Sequence, residues 1–590
     1  MVSTPRQLYS VPAAENFFND ETRSNDDTRT PILNRDLSQL EFFRRILGEA
    51  LDESQPVLER LKFLAIFSSN LDEFFMIRVS GLMEELGTIS DVPADGYSRP
   101  ELLAEIKKRV TELINVQMRC LCDDIIPELA KNGIILAKYA ELTEDEQNSV
   151  NIYFKKHVFP TLTPQAVDPS HPFPYISGGS INLALTVRPE MNKRLVRAHR
   201  TSGREFFVRV KIPHFIPRFV PIGESDGRYI LIEDLLAANI GLFATHADPE
   251  CCHLFRITRD ADIELREAEA RDLLESMEQN LKQRRFGDAV RLEVAAGMPG
   301  EMVAYLAQSL EITDDEIYPI DGPLNISDAF AITALDRPEL KDNALTTSRP
   351  AVLEGGRLTF DILRGRDVLL HHPYMPYSIV TDFLRDAVDD PDVLAIKMCL
   401  YRIGEDSPIA PLLIEASECG KQVTAVIEIK ARFDEANNIE WGKRLERAGV
   451  HVVYGLLGLK THAKTTLIVR REGPNLRRYV HLATGNYNPA TSTVYTDLGL
   501  LTSDDAIGED ATSLFNFLTV YSEPENLNKI LVAPVNLREQ MIDLIGREAE
   551  NALAGKPARI IAKLNRLADR EIVMALYDAS KAGVEIDLIV

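Results

Sequence analysis

The apolar residues Leu37, Leu40, Ile46, Leu47 and Leu51 recur close to helical spacing, and a second run of this kind extends from Val57 to Phe67. The polar stretch Ser68-Ser69-Asn70 interrupts that pattern, so a pause is predicted there and a new helix from Leu71. A further helical run covers roughly 101–130, giving an all-helical N-terminal domain over 31–132. The segment ahead of it, 1–30, is polar and acidic without an apolar core, and reads as a disordered leader. From 133 to 347 the texture changes to short β-like runs (Ile181–Val187, Glu205–Val210, Tyr229–Ile232, Leu254–Thr258, Val290–Val294) mixed with helices such as Glu267–Gln283. Many prolines mark irregular connections here, and an α+β domain is predicted.

The pattern over 348–528 is different again. Val393–Leu400 is apolar apart from Lys397, Gln422–Ile429 is a second such run, and Val450–Tyr454 is a third. Such runs suit strands buried on both faces. Ala436–Ala448 between the last two reads as a helix closed by Gly449. Strand, helix and strand in about thirty residues predict a parallel α/β sheet with right-handed crossovers. A weaker copy follows over 529–590: strand Arg559–Leu564, helix Arg570–Lys581, strand Val584–Val590. It reads as the start of a second, similar domain, incomplete at Val590, and the expectation is that these residues by themselves show little or no turnover. The fold class is therefore multidomain α/β and α+β.

Composition narrows the function. Hydrophobic residues at 45% and charged residues at 26% are ordinary for globular domains, so a sizeable core is available. A net charge of −24 argues against coating nucleic acid by bulk electrostatics. It leaves room for local basic clusters that could draw in a polyanion, such as Lys282 with Arg284 and Arg285, Lys430 with Arg432, and Arg470-Arg471. Six cysteines without a paired CxxC suggest neither a zinc site nor a disulfide framework, which fits a reducing cytoplasm. No stretch approaches the uninterrupted apolar length of a spanning helix.

Ligands of open α/β sheets bind beyond the carboxyl ends of the strands. Arg402 ends the first strand and Arg432 the second, so two guanidinium groups should converge where phosphate oxygens could sit. Surface ion pairs with Asp434 or Glu435 are the competing reading. Lys460-Thr-His462-Ala-Lys464 leads into Thr465–Val469 and reads as strand, which puts His462 and Lys464 on one face. A neutral imidazole can attack phosphorus, and a neighbouring ammonium can steady the equatorial oxygens. A lone strand histidine is more often structural, so context must decide. There is no GxxxxGK[ST] loop, so side chains must hold the phosphate.

An HxK pair followed by Gly485-Asn486 resembles the phospholipase D superfamily, but Val469 stands where an aspartate completes that motif. The missing acid favours a phosphotransferase over a phosphodiesterase. Longer words carry a closer resemblance: His371-His-Pro-Tyr374, Asp390-Pro-Asp392-Val-Leu-Ala-Ile-Lys397, Ala431-Arg-Phe-Asp-Glu435, Tyr454 through Lys464, and His481-Leu-Ala-Thr-Gly-Asn-Tyr-Asn488. With Asn34-Arg-Asp-Leu-Ser38, Ser68-Ser-Asn-Leu-Asp-Glu-Phe74 and Asp321-Gly-Pro-Leu324, the chain from Asn34 to Val590 resembles polyphosphate kinases.

That resemblance implies a transferase moving the ATP γ-phosphate reversibly onto inorganic polyphosphate. His462 matches the phosphorylated histidine, with Lys464 beside it, and His481 a second important histidine. Asn70 and Tyr495 match ATP contacts; otherwise Asn70 would cap the helix begun by Leu71 and Tyr495 would pack in a core. Arg402 and Arg432 match the magnesium site, but guanidinium has no lone pair for Mg²⁺ and belongs on the metal-bound phosphates. The implied partners are ATP, ADP and polyphosphate, with no nucleic acid. The implied assembly is an oligomer of identical subunits, in the cytoplasm or peripheral to the inner face of the membrane. A phospholipase D-like phosphodiesterase and a non-catalytic polyphosphate-binding remnant are the alternatives.

Overall fold

The computed structural model describes residues 32–84, 96–167, 171–187, 206–223, 227–243, 251–261, 273–283, 287–354, 359–432, 434–456, 458–520, 522 and 526–590. The predicted leader and the Arg284-Arg285 cluster lie outside them. The chain divides into two compact units, one of 1–263 with 283–343 and one of 264–282 with 344–590.

In the first unit, helices Arg35–Leu51, Val57–Phe74 and Arg99–Arg119 pack around Leu40, Phe43, Leu58, Phe67 and Phe74, all buried. Asn34 starts the first helix by accepting from the Asp36 and Leu37 amides at 2.9 Å each. The predicted pause at 68–70 is absent: the second helix runs unbroken through Asn70, which therefore caps nothing. Two serines and an asparagine each cost a few tenths of a kcal/mol in a helix interior. Burying Phe67 and Leu71 on either side of them contributes about 1.5–3 kcal/mol apiece, so tertiary packing wins.

The strands of this unit are β1 (Ile135–Leu136), β2 (Gln165–Val167), β3 (Ile181–Val187), β4 (Phe206–Lys211), β5 (Phe219–Pro221), β6 (Arg228–Leu231), β7 (His253–Arg259), β8 (Ala289–Ala295) and β9 (Ile317–Ile320). They form a three-stranded sheet in the order β1-β6-β5 and a six-stranded sheet in the order β2-β4-β3-β7-β8-β9. Asp72, near the end of the second helix, receives both Arg256 of β7 and Arg291 of β8 and ties helices to sheet.

The second unit is built on β10 (Val368–His372), β11 (Val393–Leu400), β12 (Gln422–Ile427), β13 (His451–Val453), β14 (Thr465–Glu472), β15 (Asn475–Ala483) and β16 (Asp497–Thr502). Their order is β10-β16-β15-β14-β11-β12-β13. Only the β11–β12 and β12–β13 pairings are parallel; the remaining pairings are antiparallel, so the sheet is mixed rather than parallel. Buried runs reveal that strands are covered on both faces but not which way they point. A two-residue turn at Gly473-Pro474, with Gly473 at φ +61°, reverses β14 into β15. Helices Ile409–Glu418 and Glu435–Arg447 make the two parallel crossovers, the second ending before Gly449 at φ +84°. In the 529–590 segment, β17 (Arg559–Lys563) and β18 (Glu585–Ile589) pair in parallel under helices Leu537–Leu553 and Arg570–Lys581, with a small core at Ile545, Ala579 and Val584.

Candidate active site

Strand directions decide what meets at one edge of the second unit's sheet. The carboxyl ends of β10, β11, β12, β13 and β15 and the amino ends of β14 and β16 all lie there. This edge gathers His372, Tyr401, Arg402, Glu428, Arg432, His462, Lys464 and Asp497.

His462 and Lys464 are not on a strand, contrary to the prediction; β14 begins at Thr465 and both precede it in an irregular segment. They nonetheless meet, because the Lys464 Nζ sits 2.8 Å from His462 Nδ1 and 2.6 Å from the His462 carbonyl oxygen. The glycines Gly455 (φ +67°) and Gly458 (φ +71°) let the chain turn before reaching them. Glu428, fully buried, holds this turn to the end of β12. Its carboxylate accepts from the Thr461 amide at 2.5 Å and from the Lys430 amide at 2.8 Å. Lys430 in turn donates to the Leu459 carbonyl at 2.6 Å. Its one mark in the sequence is a carboxylate inside the largely apolar run Gln422–Ile429.

The Tyr401 ring stands edge-on to the His462 imidazole, centroids 4.7 Å apart, with the Lys464 ammonium 4.9 Å from its centre and that of Lys460 5.7 Å away. Burial, then the ammonium groups of Lys464 and Lys460 and the Arg402 guanidinium, push His462 down to about 4. The ring is exposed, so water screens part of that shift, and both considerations leave it neutral near pH 7. Burial brings Lys464 down to about 8, against the pull of the Asp497 carboxylate.

Arg402 lies two residues past β11. Arg432 lies five residues past β12, which ends at Ile427 rather than at Arg432. The Arg402 Nη2 donates to the Arg432 carbonyl at 3.3 Å, and its Nε stands 3.1 Å from Asp434 Oδ2. Arg402 thus reaches the backbone of Arg432, and both guanidinium charges bear on the Tyr401 hydroxyl; the Asp434 ion pair weighed against a phosphate role is present as well. Among the described residues there is no group of three His, Cys, Asp or Glu side chains able to hold a metal.

His481, on β15, is deeply buried. Its Nδ1 lies 2.8 Å from the Tyr487 hydroxyl, which also receives Thr466 Oγ1 at 2.8 Å. Burial, with His372 nearby, pushes this imidazole down to about 3. A Cβ on Gly499 would fall 2.8 Å from its Nε2, so glycine is what leaves the ring its place. Tyr495 is 59% exposed in the bend before β16, ruling out its alternative core role. Asn70 is in the first unit, half-buried in mid-helix. Val469 lies within β14 and packs against the sheet's core.

Four family models match the chain: polyphosphate kinase N-terminal domain (32–137), middle domain (145–332), C-terminal domain 1 (358–524) and C-terminal domain 2 (530–590). A polyphosphate kinase of Synechocystis sp. is 46% identical over 586 residues, covering 94% of this chain and 79% of that one. One of Streptomyces coelicolor is 46% identical over 564 residues, covering 94% and 74%. The crystal structure of polyphosphate kinase from Porphyromonas gingivalis superposes with a TM-score of 0.80 at 30% identity, covering 95% of this chain and 80% of that one.

Proposed function

This chain belongs to the polyphosphate kinase family, and from that premise we propose that it moves the γ-phosphate of ATP onto inorganic polyphosphate through a phosphohistidine on His462. The observation that carries the assignment is the neutral, exposed imidazole of His462 held against Lys464 at an edge that also carries Arg402 and Arg432.

The two ring nitrogens are inequivalent: Lys464 covers Nδ1 and leaves Nε2 for phosphorus. For Nε2 to attack, the ring proton must reside on Nδ1. Lys464 can release Nδ1 without losing its last protein bond, because the His462 carbonyl accepts from it as well. Its ammonium then turns to the phosphoryl oxygens as charge builds there. The Nε2–P bond forms while the bond from Pγ to the bridging oxygen of ATP breaks, and ADP leaves with that electron pair. The terminal oxygen of a polyphosphate chain then attacks the same phosphorus, and the imidazole leaves. Reversal gives ATP from polyphosphate and ADP.

Arg402 and Arg432 offer planar donors to phosphate oxygens. Without a protein-only ligand set, Mg²⁺ fits this site as an ion brought in on the substrate phosphates, where it would neutralise charge. Tyr495 offers an exposed ring for the base. The contact assigned to Asn70 predicts a raised KM for ATP in Asn70→Ala. His481 acts by shaping the site, since its ring is buried and fastened to Tyr487. Among the described residues no helix is long and apolar enough to cross a membrane.

Incubation with γ-labelled ATP tests the proposal. Label that is acid-labile, base-stable and discharged by polyphosphate supports it; a protein that takes up no label refutes it.

A further inference from the structure

In the six-stranded sheet of the first unit, Arg209 and Lys211 project from one face of β4. Arg209 is 5% exposed. Its Nε donates to Asn182 Oδ1 at 2.7 Å and its Nη1 to Gln165 Oε1 at 2.6 Å, so two neutral amides fix the guanidinium plane. The remaining nitrogen, Nη2, is buried with no hydrogen-bond partner. No carboxylate among the described residues pairs with this group, and burial alone lowers it to about 10. Lys211 brings a second positive charge, its Nζ donating to Ser177 Oγ at 2.7 Å. Ser177 belongs to the short turn Ser177-Gly-Gly-Ser180, where its hydroxyl donates to Ser180 Oγ at 3.2 Å and would turn from it to reach an anion.

Every other deeply placed arginine of this sheet has an acid: Arg256 has Asp72 and Glu293, and Arg291 has Asp72. A buried cation without a counter-ion is costly, and the cost is relieved by an anion that accepts from its free donors. We propose that Arg209 Nη2, Lys211 Nζ and the Ser177 hydroxyl form a phosphoryl-binding subsite on the middle domain. Two cations and a hydroxyl suit a tetrahedral oxyanion with more than one charge better than they suit a single carboxylate. The choice of phosphoryl over other oxyanions rests on the family's substrate class; the anion site itself rests on Arg209 alone. A chain of phosphates and a single phosphate share this chemistry.

The test uses the full chain carrying His462→Ala, so that no transfer takes place and either reading can fail by itself. Amines are pulse-acetylated and Lys211 is quantified by peptide mass spectrometry. With tripolyphosphate at ten times its Kd, Lys211 should acetylate about tenfold more slowly, since only about one site in eleven is then empty. Lys138, largely exposed, should not change. Inorganic phosphate protecting as well as tripolyphosphate would assign the site to single phosphates, and weaker protection would assign it to the chain. Arg209→Met should abolish protection. Should that variant fail to fold, calorimetric titration of Lys211→Met with tripolyphosphate should show one site fewer than the parent. Lys211 reactivity indifferent to phosphate and tripolyphosphate, or equal protection by sulfate at matched ionic strength, would overturn the proposal. Protection that rises with protein concentration in the absence of anion would overturn it too, since a second copy of the chain would then be filling the site.

Discussion

At the scale of single residues, pairs of donors and acceptors at one sheet edge set the chemistry. Arg402→Ala and Arg432→Ala should each lower phosphate transfer by about 10²–10³ with little change in melting temperature, and Lys should substitute poorly for either. A fall in melting temperature with turnover intact would leave only the Asp434 ion pair of Arg402. The two titrating groups set pH limits of opposite sign. His462 must be neutral, so labelling should hold as pH falls through 6.5 and fail only between there and about 4. Lys464 must be an ammonium, so labelling should decline as pH rises through about 8. Initial labelling rates over that range, with Lys464→Arg moving the alkaline limb upward, check both. Arg402 and Arg432 drew attention as residues at predicted strand ends, His462 and Lys464 through the HxK spacing and the family resemblance. Tyr401 and Glu428 were not singled out, because a tyrosine and a single carboxylate at the end of an apolar run carry no spacing signal.

At the scale of elements, the segment between β13 and β14 carries the nucleophile without being a strand. Its shape depends on Glu428, whose carboxylate satisfies two amides inside the protein. Glu428→Ala would leave the Thr461 and Lys430 N–H groups without this acceptor, at a cost of about 1–3 kcal/mol for each one left unpaired in the interior. Labelling should fall more than stability does, because His462 lies one residue past Thr461. Urea unfolding set beside labelling rate measures the two; equal losses would mean that Glu428 only stabilises the fold. The same segment shows where reading a sequence stops. Apolar runs located β11 and β12 well, because strands covered on both faces leave a continuous signature. The reversal at Gly473-Pro474 and the irregular run before Thr465 leave none, so the pattern alone predicts a parallel sheet and a strand at His462. In the helical domain the error ran the other way: local polarity at 68–70 suggested a break that Phe67 and Leu71 override by packing.

At the scale of the whole molecule, the succession of helical, α+β and α/β textures was visible because each buries its apolar residues with a different period. Which residues from distant strands share an edge was not, since that depends on strand order. With no cluster of metal ligands among the described residues, divalent cation should matter to the reaction and not to the fold. A chelator should therefore abolish transfer from ATP while leaving the melting temperature unchanged; a large drop in melting temperature would point to a structural metal instead. The central claim is that one histidine carries the phosphate, and mapping the covalent phosphate after incubation with ATP tests it most directly. Peptide sequencing under alkaline conditions should find a phosphoramidate on His462 of the unaltered chain and none in folded His462→Ala. Phosphate on any other residue, or undiminished labelling of that variant, would contradict the account.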